Sequence, residues 1–418
     1  MARRLFFIVL LTVAGTARAD VFRILDDPRE AAQARVDLIQ QATDEINLLY
    51  FLARDDRITL AALAMLRDAK RRGVGDVRVI VDGSFHRIPK AVLAHLREEG
   101  VEVRVYHPLT LRHPSWMIRR MHEKVIVADS ARYITGGRNL GEAYFGLAKK
   151  KNYVDRDVYV EGASAIDADR HFENLWTSKH VADLRVRVSR AEKERAAQRL
   201  DSVLDDLVRS GFIAIDTNND WSFGEKQIGA VRFLHDPIDP EEGPKVGVRL
   251  AELIEAAEQS IVIESPYFVP TKSLRRLLTK KAGEGVRVLV LTNSLRSTDG
   301  VLPQAAYLKY RRRLVRAGLD MREYKGPDPL HAKTLVIDGR VSLIGSYNID
   351  PRSQYLNTEV LCMAEDEEIA RGLRASIEEH LQNAWVIQPS APALRVSRAT
   401  AIRVWAARLL LPFIENQL

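Results

Sequence analysis

Hydrophobic and polar positions follow an order that occurs twice along the chain. Val36, Leu38, Ile39 and Ala42 recur at helical spacing, and Leu250, Leu253, Ile254 and Ala257 do so again further on. Each segment leads to a short β-rich run, Ile46 to Phe51 in the first case and Ile261 to Glu264 in the second. Helices follow over Leu60 to Arg71 and Leu274 to Ala282, closed by Gly73 and Gly283. Buried strands come next, Val77 to Val81 and Val286 to Leu291, and then a second helix and a short strand. Strands alternating with helices predict the α/β class. The expected architecture is two pseudo-symmetric α/β units, each a largely parallel mixed sheet flanked by helices. The units open alike, Phe22-Arg23-Ile24-Leu25-Asp26-Asp27-Pro28 against Val231-Arg232-Phe233-Leu234-His235-Asp236-Pro237. Pro28 and Pro237 lie 209 positions apart (237 − 28), as do His122 and His331 (331 − 122).

The remaining segments set the boundaries. Residues 1–19 read as a secretory signal peptide: basic Arg3 and Arg4, an uncharged run from Leu5 to Ala17, and a small-x-small site at Ala17-Arg18-Ala19. An uncleaved anchor is the competing reading, although the run falls short of the roughly 20 residues of a spanning helix. The first unit is expected over 20–188 and the second over 230–390. Between them, 189–229 reads as a charge-rich connecting helix followed by a polar loop. The tail, 391–418, mixes Ile402, Val404, Trp405, Leu409, Leu410, Leu411, Phe413 and Ile414 with Arg395, Arg398, Arg403 and Arg408. It fits either a membrane-surface amphipathic helix or a terminal helix docked on the body.

Composition narrows the setting. The formal charge of +7, from 63 basic and 56 acidic residues, is mild and mixed along the chain. It suits an anionic partner without choosing between lipid and nucleic acid. A single cysteine, Cys362, excludes an internal disulfide. The histidines form no His-Glu-x-x-His pattern and no His/Cys cluster, so no metal and no cofactor is expected.

The chemistry lies in a motif that each unit carries once. Met121-His122-Glu123-Lys124-Val125-Ile126-Val127-Ala128-Asp129 and Leu330-His331-Ala332-Lys333-Thr334-Leu335-Val336-Ile337-Asp338 share the spacing His, Lys, Asp. Gly136-Gly137-Arg138-Asn139 and Gly345-Ser346-Tyr347-Asn348 trail them at the same distance. Alternation along a strand puts His and Lys on one face, where imidazole and ammonium together suit a phosphate. The same alternation turns the intervening Glu123 away from it.

These paired motifs resemble the HxKxxxxD repeats of the phospholipase D superfamily. The run Gly345 to Ser353 with Leu356-Asn357-Thr358-Glu359 is similar to bacterial cardiolipin synthases, as is Ser265-Pro266-Tyr267-Phe268-Val269-Pro270. The resemblance covers nearly all of the chain after the leader. It implies an active site at the interface of the units and catalysis through a covalent phosphohistidine, with His122 as nucleophile and His331 as acid and then base; near-symmetry leaves the reverse assignment open. Lys124, Lys333, Asn139 and Asn348 would bind phosphoryl oxygens, with a hydroxyl from Ser346. Asp157 and Glu359 would orient the histidines. Asp129 and Asp338 complete the motifs in a structural role.

The resemblance further implies a lipid phosphatidyltransferase acting on an anionic phospholipid, phosphatidylglycerol first. Trp116-Met117-Ile118 beside Arg119 and Arg120 suits a lipid chain and headgroup. A phospholipase D releasing phosphatidic acid is the alternative within lipids. A secreted nuclease is disfavoured by scattered basic residues and an aromatic content of only 7%. A non-enzymatic membrane protein is disfavoured by the intact motifs. The expected setting is a monomer in the periplasm or on the outer face of the envelope, in peripheral contact with the membrane.

Overall fold

The computed structural model describes residues 20–108, 114–184, 186–217, 219–222, 227–228, 231–239, 242–388 and 398–414. The leader, 1–19, lies outside them. The first half runs β1 (Asp20–Leu25), α1 (Pro28–Gln41), β2 (Glu45–Tyr50), α2 (Arg57–Arg71), β3 (Asp76–Asp82), α3 (Lys90–Glu98), β4 (Glu102–Tyr106), β5 (Arg120–Met121), β6 (Lys124–Ala128), β7 (Arg132–Gly136), β8 (Asp157–Glu161), α4 (Ser164–Trp176) and β9 (Val181–Asp183). The connecting helix is α5 (Arg190–Arg209), followed by β10 (Gln227–Ile228). The second half runs β11 (Val231–His235), α6 (Val246–Ala256), β12 (Ser260–Glu264), α7 (Lys272–Gly283), β13 (Arg287–Asn293), α8 (Val301–Arg316), β14 (Asp320–Tyr324), β15 (Thr334–Ile337), β16 (Val341–Gly345), α9 (Pro351–Tyr355), β17 (Asn357–Thr358), β18 (Val360–Glu365), α10 (Glu367–Gln382) and β19 (Ala384–Val386). The tail forms α11 (Arg398–Ile414).

Two mixed sheets result, ordered β10-β1-β8-β7-β6-β2-β3-β4-β9 and β11-β18-β16-β15-β12-β13-β14-β19. The parallel part is smaller than the alternation of strands and helices predicts. Only β2-β3-β4 and β12-β13-β14 run parallel; the other ladders of both sheets are antiparallel. For β6-β7 and β15-β16 the reason is local. After each motif the chain reverses in a tight turn, at Asp129-Ser130 and Asp338-Gly339, all with positive φ. A turn that short can only join antiparallel neighbours, because a parallel crossover needs a dozen residues or more.

Helix starts follow from capping. Asp27 accepts from the backbone N–H groups of Arg29 and Glu30 at 2.8 Å, with Pro28 in the first turn of α1. Its counterpart Asp236 accepts from Lys245 and Val246 at 2.9 Å and so reaches across to α6. The α7 segment ends at Gly283, two residues before the left-handed Gly285 that matches Gly73.

The apolar residues form three layers. One packs α1, α2, α3 and α5 on the outer face of the first sheet, and another packs α6, α7, α8 and α11 on the second. The middle layer joins the halves. There Val125, Val127, Tyr133, Val158 and Phe172 meet Val262, Leu289, Val336, Ile344 and Cys362. The Tyr133 hydroxyl lies 3.2 Å from the Cys362 sulfur across this seam. Buried charge locks it as well: Arg156 is fully buried and pairs with Asp26 and with Glu264 of the other half.

Candidate active site

Each half delivers its motif to the seam through a strand that pairs with the other half. The segment β5 runs parallel to β17, and the His122 N–H donates to the Thr358 carbonyl at 3.0 Å. In mirrored fashion the His331 N–H donates to the Val154 carbonyl at 2.7 Å, beside a parallel bridge between Val154 and Leu330. Each histidine is thereby seated next to the residue that follows its partner strand. For His122 that neighbour is Glu359, whose two carboxylate oxygens lie 3.1 and 3.0 Å from Nδ1. For His331 it is Asp155, whose Oδ2 lies 2.6 Å from Nδ1.

The second orienting carboxylate is therefore Asp155, not Asp157. Asp157 is the first residue of β8, points back into its own half, and meets Arg35 at 2.7 Å and Arg138 at 3.3 Å. The alternation of a strand separates residues two apart from their neighbours but not from each other, so spacing could not choose between them. Register could. Gly136 pairs with Asp157 and Gly345 pairs with Leu361, which sets Asp155 and Glu359 at equivalent positions.

Gly137 makes room for this arrangement. A Cβ there would stand 2.0 Å from Asp155 Oδ1. The second half carries Ser346 at the matching place, and its hydroxyl donates to Glu359 Oε2 while accepting from the Val360 N–H at 3.0 Å. Ser346 is thus committed to the carboxylate rather than to a phosphate. Ser353 at 2.7 Å and the Asn357 amide at 3.2 Å complete the hydrogen bonds to Glu359 Oε1.

The lysines lie beside their histidines. Lys124 donates to the His122 carbonyl, and the Lys333 ammonium lies 2.8 and 3.0 Å from the ring nitrogens of His331. Burial pulls both ammoniums down, Lys124 to about 7 and Lys333 to about 8, against the carboxylates around them. Asn139 accepts from the Leu52 N–H at 3.2 Å. Asn348 buries its side-chain oxygen without a partner. A half-turn of its amide presents a free donor at that point instead. Asp129 and Asp338 stand away from the histidines. Each caps the chain entering a strand, Asp129 accepting from Thr43, Asp44 and Glu45 and Asp338 from Glu258, Gln259 and Ser260. Glu123 turns away from the site and lies 2.8 Å from His171 of α4.

The two histidines differ electrostatically. Burial lowers both, and the neighbouring lysines lower them further. Asp155 resists burial and stays far below the ordinary carboxylate range, because the His331 imidazole and Lys333 favour its charge. Glu359 is pushed up by burial to about 7, with Lys124 and its hydrogen bonds opposing the shift. A fixed negative charge at Nδ1 therefore partly offsets the lowering of His331. His122 is driven well below its usual value and stands neutral, with Nε2 free.

Aromatic rings that sequence reasoning missed frame both imidazoles. Phe51 lies 4.8 Å from His122 and carries Phe85 at 4.4 Å. Tyr144 and Tyr153 lie 5.3 and 5.1 Å from His331. Tyr153 and Tyr267 both donate to Asp299, at 3.0 and 2.6 Å. No periodic pattern marks these rings. The expected apolar wedge divides: Trp116 stacks on His107 at 4.6 Å, Met117 and Ile118 are exposed, and Arg120 is buried on Asp82. Among the described residues no group of three or more His, Cys, Asp or Glu side chains is placed to hold a metal ion.

Comparison with known proteins agrees with this geometry. A family model described as "Cardiolipin synthase, PLD-like domain" matches residues 36–176 and 250–381, so that both motifs fall inside it. The chain belongs to the phospholipase D superfamily. Cardiolipin synthase C of Escherichia coli (strain K12) is 29% identical over 412 residues, spanning 87% of this chain and 85% of that protein. A Helicobacter pylori (strain J99) protein, described only as uncharacterized, is 28% identical over 403 residues, spanning 87% of this chain and 79% of its own length. The solved structure of phosphatidylserine synthase from Haemophilus influenzae shares the fold at a TM-score of 0.72, with 17% identity and 95% of each chain covered. The protein is an enzyme of the phosphatidyltransferase and phosphodiesterase type, related to the bacterial cardiolipin synthases.

Proposed function

We propose that this enzyme is a phosphatidyltransferase of the cardiolipin synthase kind, using phosphatidylglycerol as both donor and acceptor. The observation that carries the reading is the meeting of the two motif histidines at the seam, each held by a carboxylate from the opposite half. His122, neutral and oriented through Nδ1, attacks the phosphorus through Nε2. The bond from phosphorus to the glycerol oxygen breaks, and His331 gives its proton to the departing alkoxide. The free glycerol leaves. The hydroxyl of a second phosphatidylglycerol then gives its proton to His331, attacks the phosphorus and releases His122. Splitting the exchange through a covalent intermediate makes two easier steps of one. Lys124, Lys333 and Asn348 stabilise charge on the phosphoryl oxygens, in a site where burial keeps that interaction strong. Exposed Met117, Ile118, Phe85 and Tyr355 lie on segments that neighbour the site and suit acyl chains.

Export and work at the envelope are part of the same reading, supported by the leader pattern of residues 1–19. The experiment is product analysis. Full-length protein is mixed with phosphatidylglycerol vesicles in chelator, with His122→Ala as control, and lipids are identified by mass spectrometry. Cardiolipin and free glycerol in equal amounts, lost in the variant, support the proposal. Phosphatidic acid as the sole product makes the enzyme a hydrolase. Absence of lipid turnover, with cleavage of DNA or RNA by the same preparation, makes it a nuclease.

A further inference from the structure

The two halves differ in what covers their outer helices. In the first half α5 lies across both α2 and α3. It buries Ala196, Leu200, Leu204 and Leu207 and brings acids to their cations, Asp201 meeting Arg67 at 2.7 Å. In the second half α7 and α8 follow β12 and β13 as α2 and α3 follow β2 and β3. Here α11 packs along α8, and a cleft of about 460 Å³ remains between α7 and α8. Lys272, Arg276, Lys280 and Arg313 line it, around the ring of Tyr310.

Charge is segregated on this face. The sequences of α7 and α8 hold five basic residues each and no acidic one, and α11 adds the exposed Arg403 and Arg408. The chain as a whole, with 63 basic and 56 acidic residues, is close to balance. Some of these cations are satisfied: Lys280 pairs with Glu255 and Arg311 with Glu323. Lys272, Arg276, Arg312, Arg313 and Arg316 are exposed and form no ion pair with another described residue.

The outermost helix has two apolar faces. Val404, Ala407 and Leu411 are buried against the body. Ile402, Trp405 and Leu409 lie on the opposite side and are 64%, 63% and 57% exposed. At 3.6 residues per turn the two sets are about half a turn out of phase, and exposed Arg403 and Arg408 fall on the borders between them. Docking on the body accounts for the first face and leaves the second uncovered by any described residue. A tryptophan beside large aliphatics, flanked by arginines on a helix lying flat, matches the chemistry of a lipid headgroup boundary.

We propose that the α7–α8–α11 face of the second half docks on an anionic phospholipid bilayer, with Ile402, Trp405 and Leu409 entering the interface and the cleft cations meeting headgroup phosphates. A second copy of this face is a poor occupant, because like charges would meet. A nucleic acid would leave Ile402 and Leu409 in water. The inference takes its purpose from the lipid chemistry proposed above, but its test reads binding and not turnover.

Full-length protein carrying His122→Ala, which prevents turnover, is sedimented with vesicles of phosphatidylcholine alone or mixed with phosphatidylglycerol. Two further pairs of substitutions are added separately, Ile402→Ser with Trp405→Ser, and Arg276→Glu with Arg313→Glu. The expected result is binding to the anionic vesicles only, weakened roughly tenfold or more by each pair, with unchanged melting temperature. All variants share the same N-terminus, so the loss reports on this face. In the otherwise native enzyme, neither pair alters turnover of detergent-dispersed phosphatidylglycerol. Equal binding by all variants overturns the proposal. So does a change of oligomeric state on Trp405→Ser without loss of vesicle binding, or a charge-dependent capture of DNA or RNA in preference to vesicles. Anionic binding that needs this face, in an enzyme that makes no cardiolipin, upholds the surface while refuting the proposed reaction.

Discussion

The His331 imidazole and the Asp155 carboxylate, 176 positions apart in sequence, meet at 2.6 Å across the seam between the halves. Each half holds a histidine that only the other half can orient. Folding of either half alone therefore leaves both imidazoles without their partner, and the active site is a property of the docked pair.

Asp155 and Asp157 should separate cleanly in mutagenesis. Asp155→Asn is expected to lower kcat by roughly 10²–10⁴-fold, the range of a positioned acid–base group, with the melting temperature little changed. Asp157→Asn strips a buried carboxylate from Arg35 and Arg138. It should cost about 3–5 kcal/mol of stability, with turnover per folded molecule largely kept. Paired thermal melts and single-substrate kinetics decide the matter. The reverse pattern would return the orienting role to Asp157.

Gly137→Ala tests the same contact from the other side. The new methyl group would sit 2.0 Å from Asp155 Oδ1, so either that carboxylate or the backbone must shift. Turnover should fall towards the level of Asp155→Asn even though no chemical group has been removed. Wild-type kinetics in this variant would mean that Asp155 has room to move without consequence.

The pH dependence of kcat/KM reports the free enzyme. Below about 7 the buried Glu359 carries a proton and no longer accepts from His122 Nδ1, so activity rises as pH climbs through that value. Lys124 loses its charge around the same pH, about 7, and Lys333 at about 8, so activity falls as pH climbs past about 7 to 8. The profile should be a narrow bell, and Glu359→Gln should remove its rising limb as well as lower its height. Stability is linked to the same shift. The folded value of Glu359 lies above its ordinary 4.5. Its contribution is therefore full below that ordinary value and is lost as pH rises through about 7. The melting temperature of Glu359→Gln, relative to wild type, should thus improve between pH 5 and pH 8.

Arg156 tests the seam itself. Its guanidinium is fully buried and shared between Asp26 and Glu264. Arg156→Ala leaves the buried Glu264 only His380 and the Thr334 hydroxyl and should destabilise the protein by about 3 kcal/mol. Because the pair bridges the halves, unfolding of the variant should broaden or split into two steps in calorimetry. A single sharp transition at the wild-type temperature would show that the apolar layer alone holds the halves together.

The sequence by itself determined the duplication, the α/β class and the two motifs, because these rest on local spacing, and the reaction type followed from the family those motifs resemble. Strand alternation sets His122 beside Lys124 and turns Glu123 away, and helical periodicity marks α1 and α6, whatever the rest of the chain does. Tertiary structure decided what depends on register between distant strands. The pairing of β5 with β17, and of Leu330 with Val154, chose Asp155 over Asp157 and assigned each carboxylate to the opposite histidine. The pairing of β16 with β18 committed Ser346 to Glu359. The tight turns at Asp129 and Asp338 made β6-β7 and β15-β16 antiparallel, and pairing between strands distant in sequence made the other ladders outside β2-β3-β4 and β12-β13-β14 antiparallel too, where the alternation of elements suggests a largely parallel sheet. Burial, which no single residue encodes, then lowered both imidazoles, and the carboxylate beside each set them apart: a fixed charge at His331 and a carboxyl raised to about 7 at His122.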